Sequence, residues 1–292
     1  MINRELIRIK VVQLVYAYYL NADKPLDTAE KELVFSLSKS YQMYHYLLCL
    51  IVAITGEERL RHEVHLQRAR REGLEEPSSR FVDNRFAAQL AANEQLSRYV
   101  EDHSLTWRDD LETVRKLCNM IEQCQTYRDY MAAEEDSYDA DSEVWRKLYR
   151  QVIEDNDALE SILEGKSLYW NADKPIVDSF VLKTIKRFDP ANGAQQELLP
   201  EYKDSDDLDY AVRLFRSAIT NATEYQEMME SSSHNWGLSR MPFTDIVIMQ
   251  IALAEMLAFP AIPLNVTINE YVELSKAFST PRSAGYINGM LD

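Results

Sequence analysis

The feature that most constrains this chain is how seldom it is punctuated: 7 Gly and 9 Pro in 292 residues. A β-sandwich or barrel needs a Gly- or Pro-bearing turn every ~8–12 residues. So few breakers over so long a chain predict long helices, and the expected fold class is all-α, built as helical bundles. Hydrophobic residues make up 46%, enough for real cores, which excludes wholesale disorder. The length points to about two domains.

Apolar periodicity predicts a first helix over roughly 3–20, with Leu6, Ile9, Gln13, Tyr16 and Leu20 at helical spacing. After the turn Asp23-Lys24-Pro25, the stretch Asp27 to Glu30 reads as a helix start, and that helix runs to about Thr55. Residues 57–73 are polar and helical. Further helices are expected at about 80–101, 106–133, 142–164 and 176–187. The five residues Asn21 to Pro25 recur verbatim as Asn171 to Pro175, which common helix-stop chemistry explains. The loop Asp189–Lys203 carries Pro190, Gly193 and Pro200 and is the best domain boundary. Beyond it come a helix at 205–231 and a linker with Asn235, Trp236 and Gly237. Pro242 then opens a helix that Pro260 and Pro263 close. A capping box spans Thr267 to Glu270, and a last helix starts at Thr280-Pro281.

The two longest apolar stretches, 41–54 and 246–259, fall short of the ~20 residues a membrane span needs, so both read as buried core helices with no membrane role. The N-terminus has no apolar signal core. Cys49, Cys118 and Cys124 show no ligand spacing and read as reduced core thiols in a cytoplasmic compartment. His62 and His65 lack a third ligand, so no metal site is expected. Trp107, Trp145, Trp170 and Trp236 read as packing residues. No nucleophile elbow, phosphate loop or dinucleotide fingerprint occurs. The chain reads as a binding module with no cofactor, not an enzyme.

The formal net charge of −16 argues against non-specific nucleic-acid binding, which depends on neutralising phosphates. Any RNA site must be local and basic. Residues 101–164 hold 18 acidic and 7 basic side chains. Leu111, Val114, Leu117 and Ile121 keep a helical period there, so the stretch reads as a solvated acidic face on packed helices. Arg59, Arg61, Arg68, Arg70 and Arg71 are offset by Glu57, Glu58, Glu63 and Glu72 and read as a solvated helix.

The C-terminal order is more specific. It comprises Asn235-Trp236, the run Asp245 to Glu255, Pro263 to Val266, and Ile268-Asn269-Glu270 continuing to Lys276 and Phe278. Ser283 and the ending Tyr286, Asn288-Gly289, Leu291-Asp292 complete it. This order resembles the NusB transcription antitermination family. Arg4, Arg8, Val12-Gln13 and Tyr16 resemble that family's arginine-bearing opening helix. The resemblance covers about 20 residues at the start and 88 at the end. Three regions follow: 1–21, the first helix of the core; 22–204, an enlarged or inserted helical region; and 205–292, the C-terminal bundle.

The resemblance implies a fold of two packed three-helix subdomains and an RNA-binding role in transcription antitermination. The expected ligand is single-stranded, boxA-like RNA of ribosomal transcripts. The expected partners are the ribosomal protein NusE and the RNA polymerase antitermination complex. Arg4 and Arg8 lie four apart on one helix face and can pair with phosphate or stack on a base, while Tyr16 offers a stacking surface. Asp245 matches a family acid that accepts from base edges, and reads equally as a first-turn acid favoured by the helix dipole. Gln250 stands where the family has Arg, which removes an ion pair with phosphate. Arg282, Ser283 and Tyr286 open the last helix, whose N-terminus suits phosphate, and Lys276 suits a phosphate contact. Asn269 and Glu270 read as helix-initiating residues. A different reading of the same chain is a protein–protein adaptor that acts through its acidic surface without RNA readout.

Overall fold

In the computed structural model, which describes residues 1–21, 23–232 and 241–292, helices carry the regular structure, as the scarcity of breakers requires. The single β feature among the described residues is an isolated bridge between Ile2 and Tyr202. The helices are α1 (Arg4–Leu20), α2 (Leu26–Glu72), α3 (Arg85–Ala91), α4 (Glu94–His103), α5 (Leu111–Gln123), α6 (Gln125–Ala132) and α7 (Tyr138–Leu148). They continue with α8 (Asp157–Lys166), α9 (Lys174–Arg187), α10 (Ser205–Thr220), α11 (Ala222–Ser232), α12 (Phe243–Ala258), α13 (Leu264–Phe278) and α14 (Ser283–Leu291). The expected linker residues Asn235, Trp236 and Gly237 lie outside the described residues.

Boundaries follow local chemistry. Asn3, Asn84, Asn93 and Asn156 each accept a hydrogen bond from the amide three residues on, capping α1, α3, α4 and α8. The helix expected to stop near Thr55 runs on through the arginine-rich stretch as one 47-residue element. It stops only at Gly73, whose φ of +68° suits a residue without Cβ, and where the Leu74 amide bonds back to the Ala69 carbonyl. The expected helix at 106–133 divides at Cys124, which is extended. The one at 205–231 divides at Asn221, whose side chain turns back to Ser217 and Tyr225.

The chain separates into two compact units: residues 39–200 with Met1, and residues 2–38 with 201–292. The sequence-based boundary at 22 therefore moves to 38, because the start of α2 packs with the C-terminal helices. Arg216 of α10 ties it there through Asp27 and Glu30.

In the 39–200 unit, α2 is the spine, with Tyr44, Leu47, Leu48, Ile51 and Ile54 inaccessible to solvent. Trp107 donates to the Tyr46 carbonyl at 2.9 Å and Trp170 to the Lys39 carbonyl at 2.7 Å, which confirms these tryptophans as packing residues. Arg61 is not merely solvated. It reaches α5 through Asn119, Glu122 and the Arg115 carbonyl. The expected helix at 142–164 is interrupted by a π-turn over Tyr149–Glu154. Buried Lys174 fills that turn, donating to the Ile153 and Glu154 carbonyls and to Asp178, which also receives the Tyr149 hydroxyl at 2.6 Å. No helix among the described residues is long and apolar enough to cross a membrane.

Candidate nucleic-acid interface

The residues expected to contact RNA all fall in the unit formed by 2–38 and 201–292, on α1, α12, α13 and α14, with Arg282 immediately before α14. Within it α1 and α12 run antiparallel. Arg8 near the start of α1 meets Glu255 near the end of α12, and Tyr16 near the end of α1 meets Phe243 at the start of α12.

Arg8 is 4% exposed and Glu255 is fully buried. The guanidinium grips the carboxylate with two bonds, Nε to Oε2 at 2.8 Å and Nη2 to Oε1 at 2.9 Å, while Nη1 reaches Glu270 at 3.0 Å. Glu255 also accepts the hydroxyls of Tyr210, Thr267 (2.8 Å) and Tyr271 (3.1 Å). Burial opposes the Arg8 charge, but the bonds to Glu255 outweigh it and hold its pKa above the ordinary value. Burial likewise works against the Glu255 carboxylate. Arg8, Tyr210 and Thr267 overcome it and keep the carboxyl below its usual range. Burial keeps both tyrosines protonated and therefore donors.

Arg8 as an RNA contact is thus corrected: it is the centre of an internal ion-pair network with no face left for a phosphate. Two neighbouring expectations change with it. Helix α13 begins at Leu264, so Thr267 sits in its fourth position and donates to Glu255 instead of capping. Glu270 serves Arg8, not helix initiation.

Other assignments divide by exposure. Asp245 and Ser283 are each 3% exposed and bond to one another, Ser283 Oγ to Asp245 Oδ2 at 2.7 Å. The Ser283 amide is occupied by the Thr280 carbonyl, so Ser283 is corrected from a phosphate contact to a buried strut. The Oδ1 atom of Asp245 and the Tyr286 hydroxyl are buried without a partner. Base readout by Asp245 would require that pocket to open. Gln250 is buried too, donating to the Tyr19 hydroxyl and the Ala218 carbonyl, both at 2.6 Å. A neutral amide suits that place, and this explains why the position carries no Arg.

What remains on the surface is Arg4, Arg282 and Lys276, with Tyr16 and Tyr286 half-exposed. The Arg4 guanidinium carbon sits over the Tyr210 ring, 4.9 Å from its centroid, a cation–π contact that holds its charge in place. Lys276 pairs with Glu273. Tyr16 belongs to a cluster that sequence reasoning missed: Phe243 sits 5.4 Å from Tyr16 and 5.9 Å from Tyr19, ring to ring, and is 41% exposed. Its signal was an aromatic directly after the helix-opening Pro242. Arg4 and Tyr16, twelve residues apart on one helix, are separated by about 18 Å along the axis. Around the helix they stand about 120° apart, so α1 carries an anchored cation at one end and an aromatic platform at the other on neighbouring faces, not on one.

The comparisons with known proteins bear on this same region. The NusB family model matches residues 179–292. The transcription antitermination protein NusB of Desulforapulum autotrophicum is 41% identical over 118 residues, spanning 38% of this chain and 82% of that protein. Its counterpart in Salinibacter ruber is 30% identical over 118 residues, 38% of this chain and 74% of the relative. That of Thermoanaerobacter sp. is 34% identical over 116 residues, 38% and 82% respectively. The family match starts inside α9, 26 residues before the point where the motifs become specific.

Proposed function

Because this chain belongs to the NusB family, we propose that it is an RNA-binding transcription antitermination factor. In this reading it takes boxA-like single-stranded RNA of ribosomal transcripts together with the ribosomal protein NusE, within the RNA polymerase antitermination complex of the cytoplasm. The role is binding, without chemistry. The observation that carries the reading is the pairing of exposed Arg4, fixed on Tyr210, with the partly exposed Tyr16–Phe243 platform along one helix. A cation for phosphate and aromatic faces for unpaired bases are what single-strand recognition requires. Arg282 and Lys276 add charge, and Tyr286 and Asp245 are secondary contacts that depend on local opening.

The unit carrying this surface has 11 basic and 18 acidic residues, so its own affinity for RNA is weak, and a partner supplies part of the interface. Labelled boxA RNA is expected to bind clearly only with NusE present. Equal binding to a scrambled RNA would rule out sequence readout. Arg4→Ala should lower the slope of log affinity against log salt by about 0.7, as expected for one lost phosphate contact on a single strand. An unchanged slope removes Arg4 from the interface. The adaptor reading is favoured instead if a basic protein partner is retained through the acidic 101–164 surface while no RNA binds.

A further inference from the structure

The 39–200 unit carries 21 basic and 30 acidic residues, and most of its cations are matched to carboxylates. Arg61, Arg68, Arg70, Arg85, Arg115, Lys116, Arg146 and Lys147 all have an acidic partner within ion-pair distance. Arg98, Arg108, Arg128 and Arg150 are exposed without an ion pair among the described residues too, but they stand singly on separate elements, whereas the end of α9 gathers three such cations. Lys183, Lys186 and Arg187 are exposed, and among the described residues none of them meets a carboxylate. Their spacing, i, i+3 and i+4, puts all three on one helix face, with Cβ atoms about 5–6 Å apart. The opposite face is pinned inward: Val181, Leu182, Thr184 and Ile185 are buried, with Thr184 held by the Tyr44 hydroxyl at 2.6 Å. The stripe cannot turn away from solvent. One turn earlier on the same face lies the half-buried Phe180 ring, with the Lys183 ammonium 6.0 Å from its centroid.

From this juxtaposition we infer that the α9 stripe, Phe180 with Lys183, Lys186 and Arg187, is a second contact for the sugar–phosphate backbone of single-stranded RNA. The inference rests on the RNA-binding reading above. Cations at a helix C-terminus also complement the helix dipole, but one suffices for that and the effect fades within the last turn. Three unmatched cations beside an aromatic face, in a unit otherwise acidic, form the combination that tracks a nucleic-acid strand without reading its bases. An acidic protein segment would meet the same charges but gives no use to the aromatic ring beside them.

The test compares wild type with the variant Lys183→Gln, Lys186→Gln, Arg187→Gln, using the full chain with NusE and labelled boxA RNA. Wild-type binding at about 50–200 mM salt establishes the parent reading, and its absence would overturn that reading independently of the stripe. If wild type binds, the triple variant should lose about two units of salt slope and on the order of tenfold in affinity at low salt. The ratio of cognate to scrambled affinity should hold, because phosphate contacts carry no sequence information. RNA should also protect Lys183 and Lys186 from acetylation in wild type. An unchanged slope, or protection by an acidic protein partner but not by RNA, overturns the inference. Because the three side chains are exposed, unchanged circular dichroism and urea denaturation are expected.

Discussion

Replacing Arg8 by methionine is expected to destabilise the unit formed by residues 2–38 and 201–292 by about 3–5 kcal/mol, the cost of leaving one member of a buried ion pair without its partner. Glu255 would keep three hydroxyl donors but lose both guanidinium bonds and its counter-charge. Arg8→Lys should be intermediate, since an ammonium restores charge but not the bidentate fork. The pH dependence follows from the direction of the Glu255 shift. Its folded pKa lies below the ordinary carboxylate value, so its contribution is present above that value and is lost as pH falls through the folded pKa. In Arg8→Met, burial is opposed only by the remaining hydroxyl donors and raises the carboxyl, so the variant should lose most stability near neutral pH and recover part of it at about pH 4 to 5 as Glu255 protonates. Urea denaturation followed by circular dichroism, with hydrogen exchange to localise the loss, measures this. A variant as stable as wild type that loses only RNA binding would show that Arg8 acts on the ligand instead.

The second large effect lies in the 39–200 unit. Lys174→Met should cost about 3 kcal/mol, because it removes the donor that the Ile153 and Glu154 carbonyls and Asp178 all share. Burial already pushes the Asp178 carboxyl up to about 6 against the pull of Lys174. A raised folded pKa means that the Asp178 contribution is full below the unfolded value and is lost as pH rises through about 6. Without Lys174 that upper limit moves higher still. The cost of the substitution should therefore be smaller at about pH 5 than at pH 8. Denaturant midpoints of both proteins at the two pH values decide the matter. Equal costs at both would mean that Asp178 is not the group left stranded.

Both effects show where sequence reading stops. The resemblance pointed to residues that the fold gathers in one unit, where Arg4 is exposed and Tyr16 half-exposed. Arg8 carries the same motif weight as Arg4, yet lies one turn further along α1, where it faces Glu255, 247 positions later in the chain. Nothing local to either residue reports that meeting. Phe243 is not singled out by the sequence; only the packing of α12 on α1 sets its 41% exposed ring beside Tyr16 and Tyr19. Thr267 and Glu270 match a capping pattern in letters, but helix α13 starts three residues earlier. Once Thr267 lay inside the helix, its hydroxyl and the Glu270 carboxylate were free to serve Glu255 and Arg8.

What the sequence by itself determined is the kind of structure. Few Gly and Pro, apolar residues at helical spacing and Asn caps set helices, because those signals act within one or two turns. The repeated pentapeptide marks what only the tertiary structure decided. At the first copy, Lys24 follows α1 and pairs with partly exposed Glu32. At the second, Lys174 opens α9 and is buried against Asp178 and the π-turn. Identical letters carry identical propensities, so their different fates come from what packs around them. Burial, and which charge lies across from which, are set by contacts between residues far apart in the chain, and these choices decided which arginines hold the fold and which face solvent.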